Sequence, residues 1–200
     1  MIHFIRPPAS LLASLAAGWV LAMAAAPAFA AWDLQQLMDS LAQNQSGRAT
    51  FVETKRLAVL SRPIESSGEL LYTAPDRLEK RTLKPQPESM VVDGDSLSVE
   101  RGNRKYQLQL QAYPEIAAFI ESIRGTLAGD RKALERNYRL SVDGSPEGWV
   151  LELLPLNEKM KAVIQRIRIS GARDQVRTIE ISQADGDSSL MVIEKSTSPR

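Results

Sequence analysis

Residues 50–97 read TFVETKRLAVLSRPIESSGELLYTAPDRLEKRTLKPQPESMVVDGDSL. Turn chemistry cuts this stretch at Arg62-Pro63, Ser67-Gly68, Ala74-Pro75-Asp76, Pro85 to Pro87 and Asp93-Gly94, leaving short extended runs between the cuts. The spacing predicts a long strand from Arg48 to Leu60, a return over Glu65 to Thr73, and a turn at Ala74 to Arg77, where proline has no N–H for a ladder. A polar strand over Leu78 to Lys84 follows, then a tight hairpin through Asp93-Gly94. Phe51, Leu57 and Val59 share their parity with Glu53 and Lys55. That mixture predicts a strand half in and half out of a packed region, or a bulge.

Working outward, Asp33 and Gln36 have the spacing of a capping box, and Leu34, Leu37, Met38 and Leu41 recur at helical intervals up to Ser46-Gly47. Downstream, Lys105 to Leu110 alternates as a strand, and Tyr113-Pro114 opens a second helix whose stripe is Ile116, Phe119, Ile120, Ile123 and Leu127. A short third helix is expected at Asp130 to Arg136. Strands follow over Tyr138 to Val142, Trp149 to Leu154, Val163 to Ile169, Val176 to Ser182 and Leu190 to Lys195. The strict alternation of Arg166-Ile167-Arg168-Ile169 and Thr178-Ile179-Glu180-Ile181 marks a sheet with one wet face. The sum is an α+β fold: about eleven antiparallel strands with helices at the amino end and in the middle.

The first thirty residues read as a removable signal. Leu11 to Ala26 is nearly all apolar, and Pro27-Ala28-Phe29-Ala30 supplies small residues where a signal peptidase reads, so cleavage is expected after Ala30. An apolar run of about 16 residues is short of the roughly 20 that span a bilayer. No cysteine follows to be lipidated, and a soluble product is expected, with residues 31–200 forming one domain. Of 25 basic residues Arg6 lies in that segment, which leaves 24 against 24 acidic ones. This balance offers no drive to bind nucleic acid. His3 is the one histidine and cysteine is absent, which excludes Ser-His-Asp and Cys-His catalysis and the usual zinc sites downstream of the signal. No enzyme activity and no cofactor are expected. Asp93-Gly94-Asp95 and Asp185-Gly186-Asp187 lack the remaining ligands of a calcium loop and read as hairpin turns.

A curved antiparallel sheet either fills its concave side with its own side chains or leaves a cavity. Aromatic residues are 6% of the chain, and Phe4 and Trp19 belong to the signal segment, which favours a greasy cavity that the two helices could close over; the stripe of the first helix also fits an ordinary core-facing helix. Candidate lining residues are Leu37, Met38 and Leu41 on the first helix, Phe51, Leu71, Met90 and Leu108 on strands, and Phe119, Ile120 and Ile123 on the second helix. Such a cavity without reactive groups suits a lipid.

Four segments in order, Ala49 to Thr54, Gly68 to Arg77, Ser89 to Leu97 and Trp149 to Pro155, resemble the periplasmic lipoprotein carrier (LolA) family. The resemblance implies an unclosed antiparallel β-barrel with a helical lid over a hydrophobic cavity, the LolA/LolB-like fold. It also implies a monomeric periplasmic carrier that binds acyl chains of lipoproteins or other lipids, receives them from an inner-membrane exporter and passes them to an outer-membrane acceptor. Two alternatives share the fold: a lipoprotein-sensing regulator of the RseB type, which needs a second domain, and a shuttle dedicated to a glycolipid or polyene export system. The chain departs from the family pattern where Ala74 replaces an arginine that latches the lid, and where Lys80 and Ser98 replace aromatics.

Overall fold

Eleven strands form one antiparallel sheet in the computed structural model, which describes residues 32–195. The signal segment expected at residues 1–30 lies outside the described residues. In chain order the strands are β1 (Ser46–Arg56), β2 (Ile64–Thr73), β3 (Arg77–Lys84), β4 (Glu88–Asp93), β5 (Ser96–Arg101) and β6 (Arg104–Gln109), followed by β7 (Tyr138–Ser145), β8 (Gly148–Pro155), β9 (Ile164–Ala172), β10 (Gln175–Gln183) and β11 (Ser188–Lys195). Four helices accompany them: α1 (Leu34–Leu41), α2 (Pro114–Leu127), α3 (Arg131–Glu135) and α4 (Glu158–Lys161). The spatial order runs β6-β5-β4-β3-β2-β1-β11-β10-β9-β8-β7. Two meanders are therefore joined at a single seam, β1 against β11, and the sheet stays unclosed with β6 and β7 as its edges.

The chain passes from one edge to the other through residues 110–137, which carry a 3-10 turn at Leu110–Ala112, α2 and α3. The topology thus lays the longest helix across the open side. Cross-strand register makes the inner face continuous: Leu78 faces Val92, Val92 faces Leu97, and Leu97 faces Leu108 in one meander. In the other, Ile181 faces Ile167 and Ile167 faces Leu153. A one-residue slip anywhere would turn these rows to water, so the apolar parity itself fixes the register.

α1 begins at the expected capping box: Asp33 Oδ1 accepts from the Gln36 amide at 2.8 Å and Gln36 Oε1 accepts from the Asp33 amide at 3.1 Å. Its Leu37, Met38 and Leu41 are fully buried against Trp149, Leu151, Leu153, Ile167 and Ile169. Each such side chain contributes about 1.5–3 kcal/mol on leaving water. A second core cluster joins Val92, Leu97 and Leu110 to Ile120 of α2. α2 also touches the first cluster through Ala118, and the Tyr138 hydroxyl donates to the Ala118 carbonyl at 3.1 Å.

Three details differ from expectation. β1 ends at Arg56, because Ala58 to Leu60 turn out into solvent, where Val59 is 88% exposed. α4 was not visible in the sequence; it is a single turn capped by Asn157, whose side chain accepts from the Lys159 amide. β1 carries no bulge, since its pairing with both neighbours runs without a register shift; the shifts lie between β2 and β3 and between β9 and β10.

The turn after α2 is held by Gly129, whose φ is +64°. A Cβ there would come within 2.1 Å of the Met38 carbonyl and 2.8 Å of the Ala42 amide, so the turn sits directly on the end of α1. Gly129→Ala is expected to destabilise the protein by more than the roughly 1–3 kcal/mol that a left-handed non-glycine backbone costs alone. Urea denaturation measures this, and a loss under 1 kcal/mol would contradict the tight contact.

Candidate functional site

The inner face is filled at two places and empty between them. A cavity of about 980 Å³ lies between the middle of the sheet and α2. One wall comes from β2 to β4 with Leu70, Tyr72, Leu78, Met90 and Val92, another from β9 to β11 with Ile169, Ile179, Ile181, Met191 and Ile193. α2 covers it with Ile116, Phe119, Ile120 and Ile123. A methylene takes up about the room of one liquid water, roughly 30 Å³, so the space suits on the order of thirty methylenes, or two long acyl chains.

Half of the ten candidate residues border this space: Leu71, Met90, Phe119, Ile120 and Ile123. Leu37, Met38 and Leu41 do not, because they are fully buried where the eight-residue α1 is pressed against β7 to β9. Phe51 is 2% exposed and lies under the ammonium of Lys80, whose Nζ is 4.9 Å from the ring centroid. Leu108, near the β6 edge, packs into the Val92–Leu97–Leu110–Ile120 cluster. Leu71 borders the cavity from the polar parity, since its cross-strand partners are Arg48 and Glu79; the apolar parity there belongs to Leu70 and Tyr72. The β9–β11 wall was missed. Its alternation was legible in Thr178-Ile179-Glu180-Ile181, but nothing local said that these isoleucines look across a seam at β1.

The charges on the apolar parity of β1 belong to the inner face. Glu53 is 5% exposed. Its Oε2 accepts from Lys80 Nζ at 2.5 Å and Ser66 Oγ at 3.4 Å, and its Oε1 from Ser189 Oγ at 2.7 Å, with Lys55 Nζ 3.6 Å away. Burial pushes the Glu53 carboxyl up, but the hydrogen bond and charge of Lys80, with help from Ser189 and Lys55, bring it below the ordinary carboxylate value. Lys80 reaches Glu53 by passing over Gly68, which stands between them in the sheet and has no side chain. Glycine is required there, since a Cβ would meet the Arg81 carbonyl oxygen at 1.9 Å. Among the described residues no group of three or more His, Cys, Asp or Glu side chains is placed to hold a metal.

With Ala74 at the proline turn, α2 is tied down from its own side. Arg124 Nη1 donates to the Gly94 carbonyl in the β4–β5 turn at 2.7 Å, and its Nη2 pairs with Glu121 at 2.9 Å. Arg77 pairs with Asp93 and Glu79 instead. α2 is thus pinned to both meanders, by Arg124 on one and by Tyr138 on the other. Burial pushes the Tyr138 phenol up to about 12, against a lowering by Ser122, so it keeps its proton and donates the hydrogen bond to Ala118 at any physiological pH.

This architecture matches a known family over residues 24–196, under the description outer membrane lipoprotein carrier protein LolA-like. The chain belongs to the LolA-like family. An outer-membrane lipoprotein carrier protein from Dechloromonas aromatica is 25% identical over 168 residues, covering 81% of this chain and 76% of its own. Among solved structures, a LolA superfamily protein from Nitrosomonas europaea has a TM-score of 0.45 at 12% identity, covering 84% of this chain and 96% of its own. MucB in its complex with MucA from Pseudomonas aeruginosa has a TM-score of 0.47 at 14% identity, over 84% of this chain and 58% of its own. This LolA-like chain has Ala74 before the proline of the turn, and it is Arg124 of α2 that reaches the Gly94 carbonyl.

Two outcomes follow from the geometry. Glu53 has its folded pKa below the ordinary 4.5, so the unfolded chain takes up its proton first; the stabilisation is complete at neutral pH and is lost as pH falls through the folded value. The stability gap between wild type and Glu53→Gln should shrink as pH drops below 4.5, and a gap unchanged from neutral to strongly acid solution would contradict the ion pair. Arg124→Met should raise amide hydrogen exchange in α2 several-fold while leaving β7 to β11 unchanged. Equal protection in both proteins would mean that the Gly94 contact does not hold the helix.

Proposed function

We propose that the chain is a periplasmic carrier that binds the acyl chains of a lipoprotein or another lipid in its cavity and shuttles them from the inner to the outer membrane. The observation that carries this reading is the 980 Å³ apolar space left between a complete sheet and a helix laid over it. A concave, mostly apolar space of this size is the kind of site that takes a small ligand. The LolA-like family and the name of the Dechloromonas aromatica relative support a lipoprotein client. In this reading residues 1–30 are the export signal and residues 31–200 the carrier, acting without catalysis. The helix pinned by Arg124 and Tyr138 is the part that must yield for a chain to enter.

The driving force is large enough for the task. A 16-carbon chain gains on the order of 12 kcal/mol on leaving water, at about 0.8 kcal/mol per methylene. Separation of α2 from the sheet and desolvation of the polar wall offset part of it, which allows release to an acceptor. The test is mass spectrometry of protein recovered from the periplasm, together with uptake of a fluorescent fatty acid. A lipid should co-purify, and Phe119→Glu and Ile123→Glu should each abolish uptake, because an unpaired charge in an apolar site costs several kcal/mol. Absence of both co-purifying lipid and uptake would sink the carrier reading.

A further inference from the structure

Many charged side chains border the cavity, but Glu53 and Lys80 combine the inward parity of the sheet with burial, at 6% and 24% side-chain exposure. Both oxygens of Glu53 are taken: Lys80 and Ser66 on one, Ser189 on the other. Lys55 adds a second ammonium at 3.6 Å from the same carboxylate. Two cations therefore face one anion. The ammonium of Lys80 has three N–H donors, and among the described residues Glu53 is the acceptor it meets. The Phe51 ring lies on another side of it at 4.9 Å. When hydrocarbon fills the cavity, water leaves the remaining donors. A neutral chain offers them nothing, and unpaired donors in a dry site oppose binding.

We propose that the occupant is a long-chain acyl anion whose carboxylate or phosphate oxygen docks on Lys80 Nζ, with the surplus charge of Lys55 beside it. The inference rests on the carrier reading and names the head group that this cavity selects. Glu53 holds the lysine in place and does not touch the ligand. Ser66 and Ser189 keep Glu53 satisfied, so it need not compete with the ligand for Lys80's free donors. The polar row on β1, at odds with its parity, is thereby part of the binding site.

The test compares cis-parinaric acid with its methyl ester by fluorescence, in wild type and in Lys80→Met, Lys80→Arg and the double variant Glu53→Gln/Lys80→Met. Wild type should bind the acid at least tenfold tighter than the ester. Lys80→Met should erase that preference, and Lys80→Arg should retain it. The double variant removes the pair without stranding a buried carboxylate, so the answer does not depend on Lys80→Met folding. Displacement by palmitate and by hexadecyl phosphate then separates the two head groups, and either one winning over the ester supports the assignment. Equal binding of acid and ester by wild type, or a preference that survives in the double variant, overturns the head-group assignment and leaves the carrier reading standing. Binding of neither probe overturns both.

Discussion

Everything in this fold follows from an open sheet that has one apolar face and more width than its helices can cover. The strands carry that face across the sheet, interrupted at the register shifts between β2 and β3 and between β9 and β10 and by the Glu53–Lys80 pair. Apolar surface must leave water, and the chain provides two kinds of cover. α1 closes one region with three buried side chains. α2 must serve the rest, and one helix cannot fill the space over the remaining strands. The cavity is what remains when a wide concave surface meets a narrow cover.

The same constraint explains where the polar groups sit. A helix over a void gains little from packing on that side, so its position depends on contacts at its flanks. Arg124 reaching the Gly94 carbonyl and Tyr138 reaching the Ala118 carbonyl supply them, one from each meander. Both are single hydrogen bonds, worth about 1 kcal/mol net for the neutral Tyr138 and about 1.5–3 kcal/mol for the charged Arg124. This is a cover held firmly enough to have a place and weakly enough to leave it. The buried Glu53–Lys80 pair is a different case, since it stands in the wall and is strengthened by low surrounding polarity.

Strand count, antiparallel pairing and the apolar stripe of α2 were legible in the sequence, because alternation, helical spacing and turn residues are local; the second buried face of α2, Ala118, Ser122, Gly125 and Thr126, was not. The site was half legible. Phe119, Ile120 and Ile123 were found because an amphipathic helix announces its apolar stripe. Leu37, Met38 and Leu41 have the same kind of stripe, and only the tertiary fold says that it faces Trp149 and not a void. Leu71 was preferred to Leu70 and Tyr72 because local alternation shows two faces without saying which is inside. Glu53 and Lys55 looked like a break in the pattern, since a buried ion pair cannot be told from a surface charge until the partner strand supplies Lys80. Ile179, Ile181 and Met191 escaped because their role depends on the seam between β1 and β11.

That seam has a consequence for biogenesis. Each meander is built from neighbouring hairpins, but Phe51 pairs with Ile193 and Glu53 with Met191, partners separated by most of the chain. Contacts of such long sequence separation are slow to form, because loop closure must precede their reward. Made from its amino end, the protein can assemble β1 to β6 early, but the wall that carries Ser189 and Met191 arrives with the last strand. Throughout that interval the inner face of the first meander is bare. If the chain carries lipid as proposed, a lipid that settles there before β11 docks would act as a template for the closing of its own container.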